Sequence, residues 1–209
     1  PFIIQYSERI VVRFVASEWL MRSMQLTKIA VQSMGAEKHA ILCGFGRNGQ
    51  YLGRLLEQEG ITYIALDLDP ERVREAAAAG ETVVFGDAAK RETLMAAGIA
   101  RASVVVVTYA DTDAALRAMS QIRACRPDVP VVVRTADEVD LDKLRQAGAA
   151  EVVPEAVESS LMLASHALAL LGVPMPRILK RIREVRAERY HLLRGLYRGG
   201  DHLHEEAIE

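Results

Sequence analysis

Three glycines and one acid stand at spacings that suit phosphate and ribose. From position 39 to 69 the chain reads H-A-I-L-C-G-F-G-R-N-G-Q-Y-L-G-R-L-L-E-Q-E-G-I-T-Y-I-A-L-D-L-D. A short apolar run meets Gly44, Gly46 and Gly49, an amphipathic stretch follows, and a second apolar run stops at Asp67. Glycine at the first position permits a tight turn, at the second a close approach of backbone to a phosphate, and at the third close packing of a helix on a sheet. A helix starting beside these glycines points unpaired N–H groups and a partial positive charge toward the phosphate. Asp67 can accept hydrogen bonds from ribose hydroxyls, and its charge would repel a 2′-phosphate, which favours an NAD- or AMP-like ligand over NADP. Without a ligand, the same residues would make a plain glycine-rich strand-to-helix turn.

These groups need a parallel sheet to bring them together. The hydrophobic pattern predicts strands over 40–43, 62–66, 82–85, 104–107, 131–134 and 151–153. Helices are predicted between them over 48–58, 70–79, 91–97, 111–124 and 140–146. Pro70 suits a first helical turn and Asp111 suits a helix cap. Such alternation implies an α/β fold, a six-stranded doubly wound parallel sheet of Rossmann type with right-handed crossovers.

In that fold a ligand lies across the carboxyl ends of the strands. The candidate contacts are therefore Gly44, Phe45, Gly46, Arg47, Asn48 and Gly49 on the first turn, and Asp67, Leu68 and Asp69 after the second strand. Gly86, Asp87 and Ala88 follow the third strand, Thr108 and Tyr109 the fourth, and Arg134 ends the fifth. Several have two readings. Arg47 either reaches a phosphate or is a solvated loop arginine. Asp87 either borders an adenine or caps the next helix, and Thr108 and Tyr109 either touch the nucleotide or cap the helix after them.

A dehydrogenase needs, besides a nucleotide cradle, a substrate domain and a positioned acid or base. After the last predicted strand only two helices and a tail remain, predicted over 161–171 and 177–193, and none of the five histidines stands at a predicted strand end on the ligand side. Binding without catalysis is the leading expectation, and a soluble NAD-dependent oxidoreductase is the alternative. The uncharged Leu/Ala-rich helix over 161–171 is either a dimer surface or a helix packed on the sheet. The two cysteines, Cys43 and Cys125, belong to no C-x-x-C pair and read as reduced, buried thiols of a cytosolic protein, with no metal site expected.

Half of the 209 residues are hydrophobic and the net charge is −2, so no general attraction to nucleic acid is expected. Charge is segregated, with a basic stretch over 177–198 and an acidic end after it. Residues 1–38 carry a broad apolar stripe flanked by charges, which suits either a helix packed on the domain or on a partner subunit, or a segment leaving a membrane. No run of apolar residues is long enough for a membrane span. Because the sequence opens on Pro1 rather than Met, a fragment or processed product is expected.

The combination C-G-F-G-R-N-G-Q (43–50), A-L-D-L-D-P-E-R-V (65–73), V-F-G-D-A-A (84–89) and L-R-Q-A-G-A-A-E-V-V-P-E (144–155) resembles the RCK/KTN (TrkA-N type) domain of potassium transport systems. The resemblance is to the cytosolic domain of Kef-like monovalent cation:proton antiporters. It implies a homodimer that binds NAD(H), AMP or a related adenine nucleotide and so gates potassium/proton antiport by a covalently attached membrane domain. The protein would then lie at the cytoplasmic face of the inner membrane and would not be an enzyme. Carried onto this chain, the resemblance gives the phosphate to Gly44, Gly46 and Gly49, the ribose to Asp67, and the adenine to the Gly86-Asp87-Ala88 turn. It divides the chain into a helical linker from the membrane part (1–38), the nucleotide-binding domain (39–153), a helical extension for dimer contact (154–198) and an acidic linker (199–209).

Overall fold

The computed structural model describes residues 23–31, 33 and 38–187, and the readings for 1–22 and 188–209 lie outside them. Six strands alternate with helices: β1 Ala40–Cys43, β2 Tyr63–Asp67, β3 Val83–Phe85, β4 Val104–Val107, β5 Val131–Thr135 and β6 Glu151–Pro154. All neighbouring strands pair in parallel, in the order β3-β2-β1-β4-β5-β6. This is the doubly wound order expected of a dinucleotide-type fold, with the reversal between β1 and β4.

Burial explains why the strand signals were so plain. Every residue of β1 and β2 is buried, since helices cover both faces of the sheet centre. The edge strand β6 instead alternates exposed and buried residues. On one face, Leu42, Phe45, Tyr63, Ala65, Val73 and Val83 form a core under α2 (Arg47–Gln58) and α3 (Pro70–Ala78). On the other, Ile41, Ile64, Leu66, Val105, Val107 and Val133 pack with side chains of α4 (Arg91–Ala96), α5 (Thr112–Cys125) and α6 (Leu141–Gln146). Helix α5 buries Ala115, Ala118, Met119 and Ile122, the spacing of a single helical face.

Residues 23–31 and 33 are helical (α1). Of the two readings for the N-terminal stretch, this part follows the first. Ile29 is buried in the core, the Ser33 hydroxyl donates to the Ala96 carbonyl at 2.8 Å, and Arg101 donates to the Ser33 carbonyl at 2.8 Å.

Beyond the sheet, α7 (Glu155–Leu170) starts well before the position expected from the sequence, immediately after β6 and with no intervening loop. Helix α8 (Met175–Ala187) packs back on it, with Arg186 donating to Glu158 at 2.5 Å. Among the described residues no helix is long and apolar enough to cross a membrane.

Candidate functional site

The β1–α2 turn is shaped by what its glycines leave out. Gly44 has φ +98°, a conformation that side chains rarely adopt, and a Cβ there would lie 2.7 Å from Thr108 Oγ1. At Gly49 a Cβ would run into the Gly44 carbonyl oxygen, so this glycine lets α2 press on the turn. Gly46 differs from both: nothing lies within 4 Å of its would-be Cβ. That open space leaves the backbone there free for close approach by a ligand. Gln50 N–H is bonded to the Gly46 carbonyl at 2.9 Å, while the N–H groups of the first turn before it have no partner inside the helix.

Thr108 belongs to the turn rather than to a helix cap. Its hydroxyl lies 2.8 Å from the Gly44 carbonyl and 3.1 Å from that of Cys43, tying β4 to the end of β1. Asp111 is the residue that caps α5, accepting from Ala114 N–H at 2.6 Å. Asp87 does not cap α4, whose N-cap is Lys90. Its carboxylate instead accepts from Ala89 N–H at 2.9 Å and fixes the turn after β3.

Asp67 ends β2 with its side chain 6% exposed. One carboxylate oxygen accepts from Phe45 N–H at 2.6 Å and the other from Asp69 N–H at 2.8 Å. Arg72 Nη1, from the first turn of α3, lies 2.8 and 2.9 Å from the two oxygens. Its Nη2 is 3.0 Å from Asp69. The Asp67 carboxylate and the neighbouring Asp69 hold the Arg72 guanidinium firmly protonated.

A cleft of about 790 Å³ runs across the carboxyl ends of the strands. Of the residues expected to touch a ligand, Gly44, Gly46, Arg47, Asn48, Asp67, Leu68, Gly86, Asp87, Ala88, Thr108, Tyr109 and Arg134 line it. The Phe45 side chain is turned into the core, where it stacks on Tyr63 at 6.1 Å between ring centroids. Gly49 is buried under the turn, and Asp69 caps α3 through the backbone N–H groups of Glu71 and Arg72.

Arg72, Arg117 and Glu155 line the cleft without having been singled out in the sequence. Arg134 and Glu155 form an ion pair, and Arg134 also donates to the Thr108 carbonyl at 2.9 Å. The far half of the cleft thus carries titratable groups, but these two neutralise each other and Asp111 is engaged at its cap. Burial and the nearby Asp87 push the Tyr109 hydroxyl far above its usual range, so it stays protonated. Among the described residues no cluster of side chains could hold a metal ion.

The TrkA-N domain family matches residues 40–155, and the chain belongs to that family. It is 39% identical over 204 residues to an Alkalimonas amylolytica protein named as a K(+) efflux antiporter, KefB, covering 97% of this chain and 31% of that protein. The chain thus spans less than a third of the length of the curated relatives it matches, which include the plant chloroplast K(+) efflux antiporters at 15%. Among solved structures, the C-terminal domain of Shewanella denitrificans Kef in its AMP-bound form aligns with TM-score 0.60 and 28% identity. That match covers 72% of this chain and 91% of the other. GsuK bound to ADP aligns with TM-score 0.55 and 26% identity, over 68% of this chain and 37% of the other.

Proposed function

We propose that this chain is the ligand-sensing regulatory domain of a Kef-type K(+) efflux antiporter. It binds an adenine nucleotide, AMP or NAD(H), in the cleft and thereby gates potassium/proton exchange by an attached membrane domain at the cytoplasmic face of the membrane. The observation that carries this reading is the open space above Gly46, at the N-terminus of α2 and in the same cleft as Asp67. Phosphate would rest on the first turn of α2, ribose on Asp67, and adenine along Gly86, Asp87 and Ala88. The similarity to the AMP-bound Kef domain and to ADP-bound GsuK supports the ligand class. A cleft of about 790 Å³ has room for a dinucleotide as well as for AMP.

Residues 39–153 would be the nucleotide-binding unit and 154–198 the dimer-contact extension, with 1–38 and 199–209 as linkers. Leu163, Leu170 and Leu171 on α7 and the turn after it are 72%, 90% and 79% exposed, which supports a second copy of the chain as their cover. Gating then requires the nucleotide to bind one arrangement of the dimer better than another, typically by ~1–3 kcal/mol.

Calorimetry on the purified chain with AMP, ADP, ATP, NAD and NADH tests the reading. Binding well below millimolar is expected for at least one of them. Gly46→Val is expected to abolish it while leaving the melting temperature in place, since the new side chain enters open space from an ordinary backbone conformation of φ −69°. No binding by any of the five would overturn the sensing role. Turnover of NADH with a substrate would instead establish the alternative, a soluble NAD-dependent oxidoreductase.

A further inference from the structure

The carboxylate that should greet a ribose is already fully occupied. Two carboxylate oxygens offer about four lone-pair sites. On Asp67 these meet Phe45 N–H, Asp69 N–H and the Arg72 Nη1 group, which lies across both oxygens. The two backbone bonds belong to the fold, because they hold the β1–α2 turn and the β2–α3 turn in shape. The arginine bonds do not. Arg72 is 37% exposed, it lines the cleft, and its second nitrogen already sits on Asp69 at 3.0 Å. Arg72 therefore has one carboxylate to release and one to keep, and it can turn away without becoming an isolated charge.

Resting on the adenine-nucleotide reading of the cleft, we infer that Arg72 is a specificity-determining residue that masks Asp67, and that a ligand's ribose diol binds by taking its place. The diol then gains two hydrogen bonds to Asp67 only against the loss of the Arg72–Asp67 pair. Ligands without the diol leave that pair closed. Arg72 thus flattens the cleft's preference for an intact ribose: it lowers the advantage that the hydroxyls would have over a bare carboxylate.

The test compares AMP with 2′,3′-dideoxy-AMP on the wild-type chain, Arg72→Gln and Arg72→Lys, with dissociation constants from calorimetry and melting temperature as the check on folding. Both ligands carry the same phosphate, so any general loss of positive charge cancels in their ratio. In Arg72→Gln the preference for AMP over the dideoxy compound is expected to rise about twofold to fivefold, within the range for releasing one half-exposed ion pair. Arg72→Lys, which restores a cation facing Asp67, is expected to bring the ratio back toward the wild-type value. An unchanged ratio, or a fall in it, would overturn the masking role while leaving nucleotide binding intact. Failure of the wild-type chain to bind AMP or any of the other four nucleotides would remove the nucleotide reading and the masking role together.

Discussion

The sheet and the α7–α8 pair bury their apolar side chains to very different extents. In β1 and β2 every residue is buried, and two separate clusters of aliphatic side chains fill the faces. In α7, sixteen residues long and rich in Leu and Ala, only Val157 is buried, while Met162, Leu163 and Leu170 are largely exposed. The sheet is a finished core. The helix pair leaves much of its apolar surface open, and in the proposed reading a second copy of the chain would cover it. On that reading, one chain would carry a self-sufficient ligand-binding body joined to a contact element completed by assembly.

That contrast can be broken first in the sheet. Gly49→Val drives a side chain into the Gly44 carbonyl at a buried position of the β1–α2 turn. A loss of about 3 kcal/mol or more is expected, read as a collapse of the melting temperature. Changes in the helix pair should behave in the opposite way. The double substitution Leu163→Glu with Leu170→Glu touches side chains with few partners in the chain itself, so the stability of the sheet body should move by less than about 0.5 kcal/mol. Sedimentation is then expected to show monomer where the wild type shows dimer, and a wild-type monomer would remove the dimer reading.

The smallest effect concerns the two thiols. Burial pushes the Cys43 thiol from 9.0 up to about 12, whereas Cys125 is half-buried. The folded chain keeps the Cys43 proton where the unfolded chain releases it. Its contribution to stability is therefore full below pH 9 and is lost as pH rises toward about 12. At neutral pH iodoacetamide should label Cys125 and spare Cys43, and denaturant should expose both. Rapid labelling of Cys43 in the folded state would contradict the tight packing of the sheet centre.

The sheet was legible in the sequence because its strands are continuous aliphatic runs between glycine and proline breaks. Predicted strand limits fall within a residue or so of those observed. The glycine turn was legible for a related reason, since Gly44 and Gly49 answer steric demands that a spacing rule already encodes. Arg72 was not. It follows Asp67 by five positions, with a strand end, a turn and a helix start between them, so neither strand nor helix periodicity pairs the two. An arginine in the first turn of an exposed helix also reads as solvated. Glu155 escaped because the start of α7 has almost no apolar periodicity, with Val157 its single buried residue. A proline followed by Glu155 and Glu158 was the available signal, since acids favour a helix's first turn.

The seam between β6 and α7 has a mechanical meaning. Pro154 closes the strand and Glu155 opens the helix, with Ala156 N–H bonded to the Ala136 carbonyl at 3.0 Å and Glu155 paired to Arg134 in the cleft wall. There is no slack at this joint. A helix of sixteen residues is a rod of about 24 Å, so tilting its root by about 5° carries the far end, where Leu170 stands, through about 2 Å. The cleft wall is the fulcrum, and the exposed Leu170 is at the long end of the arm.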